Sequence, residues 1–204
     1  MARLAAFLSV LSALFASDPS PGPVRQPVHY RDSVALGSPE AGSLLRGVKL
    51  PPAGRHYFTW DPILHESPGR PWRRRGTDEL IRTVLGVVHE YARAHPAAPR
   101  IGIGDLSLPE GGDFGPEVGG GIGHGTHQNG LDVDVYYPLR SGFERAPLSV
   151  GEIDLRLAQD LVDRFVAAGA DLIYVGPGTP LTGPADVVVP LVNHDNHLHV
   201  RIAR

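Results

Sequence analysis

Two well-separated segments of the chain alternate apolar residues with residues that bind metals. Each can satisfy that pattern only as a strand with one face in a core. Leu131-Asp-Val-Asp-Val-Tyr-Tyr137 sets Leu131, Val133 and Val135 on one side and Asp132 and Asp134 on the other. His197-Leu-His-Val200 sends both imidazoles one way and Leu198 and Val200 the other. Each strand lies in or beside a histidine cluster. The first cluster is Gly123-His124-Gly125-Thr126-His127-Gln128-Asn129-Gly130, and the second begins Asn193-His194-Asp195-Asn196. Together they hold five of the ten histidines in the chain. Imidazole nitrogens and carboxylate oxygens suit a zinc-like cation that keeps one position open for water. The clusters therefore point to a metal site and hydrolytic chemistry. Strand spacing leaves open which member of each same-face pair, His197 or His199 and Asp132 or Asp134, is the ligand. The other would move protons or orient a histidine.

The rest of the chain sets the frame for that site. With 204 residues, one well-buried domain is expected. Thr77 opens a helix as its N-cap, and Leu80, Ile81, Val84, Leu85, Val88 and Tyr91 form its apolar stripe up to Pro96. Ser149-Val-Gly-Glu152 reads as a capping box opening a second helix through Ile153, Leu157, Leu161 and Phe165 to Gly169. Further strands are expected over 101–106, 172–175, 187–191 and 197–202. Residues 35–76, with repeated Gly and Pro turn signals and four aromatic residues, read as irregular structure packed onto the domain. Arg73-Arg74-Arg75 reads as a solvated basic run. The expected fold is a single α+β domain over 35–204, its mainly antiparallel sheet flanked by helices and the metal site on strands and loops.

Several chemistries are excluded or disfavoured. No cysteine is present, so disulfides, thiolate ligands and cysteine nucleophiles are ruled out. A net charge of −3 gives no reason to expect nucleic acid as a partner. The glycine-rich stretch 107–123 lacks the Gly-Lys-Ser/Thr ending of a phosphate loop, and neither Gly-x-Ser-x-Gly nor His-Glu-x-x-His occurs. At the start, Arg3 precedes an apolar run from Leu4 to Ala16, too short to span a bilayer and suited to a secretory signal peptide. Residues 1–16 are therefore expected to be a signal peptide and 17–34 a Pro- and Ser-rich linker. The expected protein is exported, periplasmic or associated with the cell wall, and has no stable membrane span after signal cleavage.

The segment Gly123-His-Gly-Thr-His-Gln-Asn-Gly-Leu-Asp-Val-Asp134, preceded by Gly104-Asp-Leu-Ser and Gly111-Gly, resembles the penicillin-insensitive murein endopeptidases. These belong to the wider lysostaphin-type and D-Ala-D-Ala metallopeptidase group, whose pattern is His-x6-Asp followed much later by His-x-His. Here that pattern is His127 to Asp134 and His197-Leu198-His199. The resemblance implies zinc held by His127, Asp134 and His199, with His197 as general base. It places His124 and His194 close to the metal in substrate-positioning or transition-state roles, and gives Asp105 a supporting one. The implied partner is peptidoglycan, cleaved at the D-alanyl–meso-diaminopimelyl cross-bridge by a zinc-activated water. The chain departs from the better-known enteric members in having no cysteine. Competing readings are a D-Ala-D-Ala carboxypeptidase or an L,D-peptidase of the same group, a non-catalytic zinc-containing wall-binding protein, and a non-haem iron(II) oxygenase.

Overall fold

The computed structural model describes residues 26–203, so the expected signal peptide at 1–16 lies outside the described residues. Its centre is a six-stranded mixed sheet in the order β4-β6-β7-β10-β8-β9. The strands are β4 (Tyr57–Thr59), β6 (Ile101–Ile103), β7 (Asp132–Tyr136), β8 (Ala170–Val175), β9 (Val188–Pro190) and β10 (His197–Ile202). The three inner pairings are antiparallel, whereas β4 on β6 and β9 on β8 at the two edges are parallel. The fold is thus the α+β domain with a mainly antiparallel sheet that the sequence pattern predicts.

Helix α1 (Asp78–Ala94) begins where Thr77 Oγ1 accepts the Leu80 N–H at 3.1 Å, with Asp78 and Glu79 at the positive end of its dipole. Its stripe of Leu80, Ile81, Val84, Val88 and Tyr91 is buried, and so are Leu157, Leu161, Val162 and Phe165 of α2 (Leu155–Ala167). Both stripes join one core with Val133 and Val135 of β7 and Leu198 and Val200 of β10. The helices therefore cover one face of the sheet. By strand alternation, Asp132, Asp134, His197 and His199 project from the other. Among the described residues no helix is long and apolar enough to cross a membrane.

Two expectations need correction. Residues 35–76 are not wholly irregular. They contain the hairpin β1 (Val34–Ser38) with β2 (Ala41–Leu45), the short strand β3 (Val48–Lys49) paired with β5 (Arg75–Gly76), and the edge strand β4. All three residues of β4 are buried, so no alternation marks it in the sequence.

Ser149 also fails to cap the second helix. Its side chain makes no capping bond, and Val150–Glu152 is only a 3-10 turn. The fully buried Ile153 is drawn into an extended bridge with Leu139, which stops any helix from running through it. The helix starts two residues later, where Asp154 accepts the Leu157 N–H at 3.0 Å. The Glu152 carboxylate instead takes Arg145 and the Leu148 N–H. Loss of a working N-cap costs about 1 kcal/mol. Asp154→Ala should therefore lower stability in urea unfolding by roughly 0.5–2 kcal/mol, and Ser149→Ala should leave it within about 0.5 kcal/mol.

Candidate metal centre

The site begins as a strand register. In the antiparallel β7–β10 pair His199 stands opposite Asp134, His197 opposite Tyr136, and Arg201 opposite Asp132. Directly opposed residues share a face with their Cβ atoms about 4.5–5.5 Å apart, so the acidic side chains of one strand meet the imidazoles of the other. His127 arrives from the loop before β7 in a left-handed conformation, φ 67°, uncommon for a residue with a side chain. Two contacts hold it there. Its backbone N–H donates to Asp132 Oδ2 at 2.9 Å, and its Nδ1 lies 2.5 Å from the Leu106 carbonyl. A carbonyl can only accept, so Nδ1 carries the proton and Nε2 presents a lone pair.

That lone pair faces the other two donors. His127 Nε2 lies 3.1 Å from His199 Nδ1 and 3.3 Å from Asp134 Oδ1, and the last two atoms are 3.3 Å apart. Zinc with bonds of about 2.0–2.1 Å separates tetrahedral ligands by about 3.3–3.4 Å, so the three atoms fit one face of such a shell. His124 supplies another donor, within 4.8 Å of ligand atoms of His127 and Asp134. The His127–Asp134–His199 set is the tighter, and His124 has a partner of its own: its Nε2 is 2.8 Å from Asp105 Oδ2.

The charge distribution suits a cation at the same point. Asp132 and Asp134 are both buried. Burial raises a carboxyl pKa, yet the surrounding imidazoles, with Arg201 beside Asp132, hold both well below the usual carboxylate range. Asp132 Oδ1 accepts from Arg201 Nε at 2.8 Å, a permanent positive charge. Among the described residues Asp134 is paired only with imidazoles: His124, His127, His197 and His199. Burial lowers the pKa of His199, but Asp132 and Asp134 override it and raise the group to about 9. His199 Nε2, buried and without a hydrogen-bond partner, lies 3.4 Å from Asp132 Oδ1. A carboxylate behind the distal nitrogen of a histidine is the usual brace for a metal-ligating imidazole.

His197 differs from its neighbour. Its Nδ1 lies 2.7 Å from Asn196 Oδ1, so in the natural orientation of that amide Nδ1–H donates and Nε2 is free. Nε2 stands 3.7 Å from Asp134 Oδ1. Burial pulls the His197 pKa down to about 4, with Asp134 acting in the opposite sense. The ring is therefore neutral near pH 7 and able to accept a proton. His194 stacks on it with centroids 4.8 Å apart and is anchored through Nδ1 to the Val192 carbonyl at 2.8 Å. Burial lowers the His194 pKa as well.

All six residues expected at the site come together. His124, Asp134, His194, His197 and His199 line an open cleft of about 500 Å³, and His127 lies beneath it. Gly123, at φ 69°, sets the turn that delivers His124; a Cβ there would fall 2.5 Å from the Pro116 nitrogen. Asp105, with 1% of its surface exposed, receives Nε and Nη2 of the equally buried Arg73 and the His124 ring. Burial lowers the His124 pKa, but Asp105 and Asp134 raise it overall.

The basic run is accordingly not solvated. Arg73 is buried beneath the site, and Arg74 is buried against the Leu50 carbonyl. Sequence reasoning also passed over Tyr136 and Tyr174 in the cleft lining and Asn196 beside His197. Tyr136 and Asn196 are next to motif residues, so adjacency was an available signal. Arg73 is 32 positions from Asp105, and nothing local marks it.

Buried nitrogen and carboxylate donors around one point, at the floor of an open cleft and beside an uncharged imidazole, define a hydrolase type of site. The family comparison is narrower. The chain matches the model for penicillin-insensitive murein endopeptidase over residues 35–166, more than half its length, and it belongs to that family. Membership makes it a peptidase of murein. His194, His197 and His199 lie beyond the matched residues, and the fold brings them to the matched ones. No curated protein matches the chain.

Removing one partner from a buried ion pair strands the other charge, at a cost of about 3–5 kcal/mol. Arg73→Met should therefore destabilise the protein by that amount in urea unfolding, and adding Asp105→Asn should recover part of it. A loss below about 1 kcal/mol would show that Arg73 does not brace the site.

Proposed function

We propose that the protein is a zinc-dependent DD-endopeptidase that cuts the D-alanyl–meso-diaminopimelyl cross-bridge of peptidoglycan. The observation that carries this reading is the triangle of donor atoms on His127, Asp134 and His199, with edges of 3.1, 3.3 and 3.3 Å. We assign these three residues as the zinc ligands and Asp132 as the group that orients them. When bound, zinc supplies Lewis-acid polarisation of the scissile carbonyl and acidification of the attacking water. His197 Nε2 takes the proton of that water and returns it to the leaving amine, a task suited to a ring that is neutral at working pH. His124, its Nε2–H held by Asp105, turns Nδ1 toward Asp134 and the cleft, while His194 positions substrate on the other side of His197. No serine or cysteine nucleophile takes part.

The cleft favours an endopeptidase over a D-Ala-D-Ala carboxypeptidase. An exopeptidase needs a cation to receive the terminal carboxylate of its substrate. The only guanidinium in the lining is Arg73, and Asp105 and the Gly119 carbonyl already take its donors. The exposed aliphatic side chains of Ile63, Ile122, Leu191 and Val192 also belong to the lining. Export, with residues 1–16 as signal peptide, fits a substrate in the cell wall.

Purified protein and zinc, incubated with defined muropeptide dimers, should yield monomers of the masses expected for cross-bridge cleavage. Survival of the dimers with loss of a terminal D-Ala from pentapeptides would replace the endopeptidase with a carboxypeptidase. His127→Ala and His199→Ala should lose both stoichiometric zinc and cleavage. His197→Ala should keep zinc and lose roughly 10²–10⁴ in kcat. Full activity in a zinc-loaded His197→Ala protein would remove that residue from the mechanism.

A further inference from the structure

A second cavity of about 300 Å³ lies apart from the cleft and shares no lining residue with it. Its charged and titratable lining is His29, Arg31, Lys49 and Arg75, with no carboxylate. Part of this arrangement is built into the fold. Lys49 of β3 stands directly opposite Arg75 of β5, so two cations share one face of a two-stranded ribbon. Like charges placed directly across a strand pair destabilise it. Arg31 adds a third. Neither its guanidinium nor the Lys49 ammonium has a hydrogen-bond or ion-pair partner among the described residues.

The remaining contacts do not neutralise the cluster. Arg75 spends Nη1 on the Gly47 carbonyl at 3.2 Å, and its Nε is buried without a partner. Burial, and after it the charge of Arg31, holds the Arg75 guanidinium below its ordinary pKa. Asp78 approaches from the start of α1, but its two oxygens accept the backbone N–H groups of Arg31 and Asp32. Three fixed cations thus line a space large enough for one small anion, and the Arg31 guanidinium keeps a whole fork for paired oxygens.

The geometry points to a phosphate-binding pocket formed by Arg31, Lys49 and Arg75, which takes a phosphate group, free or carried on a larger molecule, outside the catalytic cleft. A doubly charged tetrahedral anion matches three cations better than a single carboxylate does. The pocket holds the group by charge and hydrogen bonds, so its affinity falls as salt rises.

The test uses the full chain and titrates inorganic phosphate, glycerol 3-phosphate and a glycerophosphodiester, each followed by calorimetry at fixed ionic strength. Saturable one-site binding of inorganic phosphate is expected, weakened at least tenfold in the Arg31→Gln/Lys49→Gln variant. Both substituted side chains are exposed, so the variant should cleave soluble muropeptide dimers at the wild-type rate. That rate separates failure of this pocket from failure of the endopeptidase reading. Binding of the diester as well as the monoester assigns the pocket to a phosphodiester chain. Binding of monoesters alone assigns it to free or terminal phosphate. Phosphate affinity unchanged in the double variant, or chloride competing with phosphate at equal concentration, overturns the proposal.

Discussion

The pairing of β7 with β10 is the constraint on which the site depends. In this register Val133, Val135, Leu198 and Val200 are fully buried, and burying each such side chain is worth about 1.5–3 kcal/mol. A slip of one residue would turn that set outward and drive Asp132, Asp134, His197 and His199 into the hydrocarbon core. Core packing therefore fixes the cross-strand partners, and the partners fix the distance between Asp134 and His199. The site is accurate because the opposite face of the same two strands is packed against the helices. Of the three donors in the triangle only His127 comes from outside this pair, and Asp132 itself ties that loop residue down.

Three buried carboxylates meet at the site, and they are balanced in two ways. Asp105 faces the buried guanidinium of Arg73, and Asp132 faces Arg201. Asp134 faces imidazoles alone. A carboxylate out of water needs a compensating positive charge. Two of the three needs are met by arginines, which leaves the one without an arginine as a corner of the donor triangle. The two histidines of β10 diverge for the same reason. His199 lies between Asp132 and Asp134 and is pushed up, whereas burial outweighs Asp134 at His197 and pushes it down. One strand thus carries two imidazoles in opposite electrostatic surroundings.

The period-two pattern of 131–137 and 197–200 was enough to foresee two strands and their inward and outward faces, whereas His124, His127 and His194 were legible only as members of the histidine clusters, and the choice of ligands came from the family resemblance. The pattern could not rank Asp132 against Asp134. Both point the same way, and the difference is which of them Arg201 and the His127 backbone reach. Arg73 was illegible for a related reason. A run of three arginines looks solvated until the chain passes beneath Asp105, a contact made across 32 residues. The capping box at Ser149 was locally sound but lost to Ile153, whose burial against Leu139 demands extended backbone. Local propensity yielded to tertiary packing there, as it did in β4, where burial on both faces erases alternation.

The central claim is that one metal ion is held by two imidazoles and one carboxylate, with His197 close by but uncoordinated. X-ray absorption at the zinc edge of the loaded protein tests it most directly. The account predicts a four-coordinate nitrogen and oxygen shell at about 2.0–2.1 Å with the multiple-scattering signal of two imidazoles, unchanged in His197→Ala. A shell with three or four imidazoles, or one that loses an imidazole in His197→Ala, would contradict it.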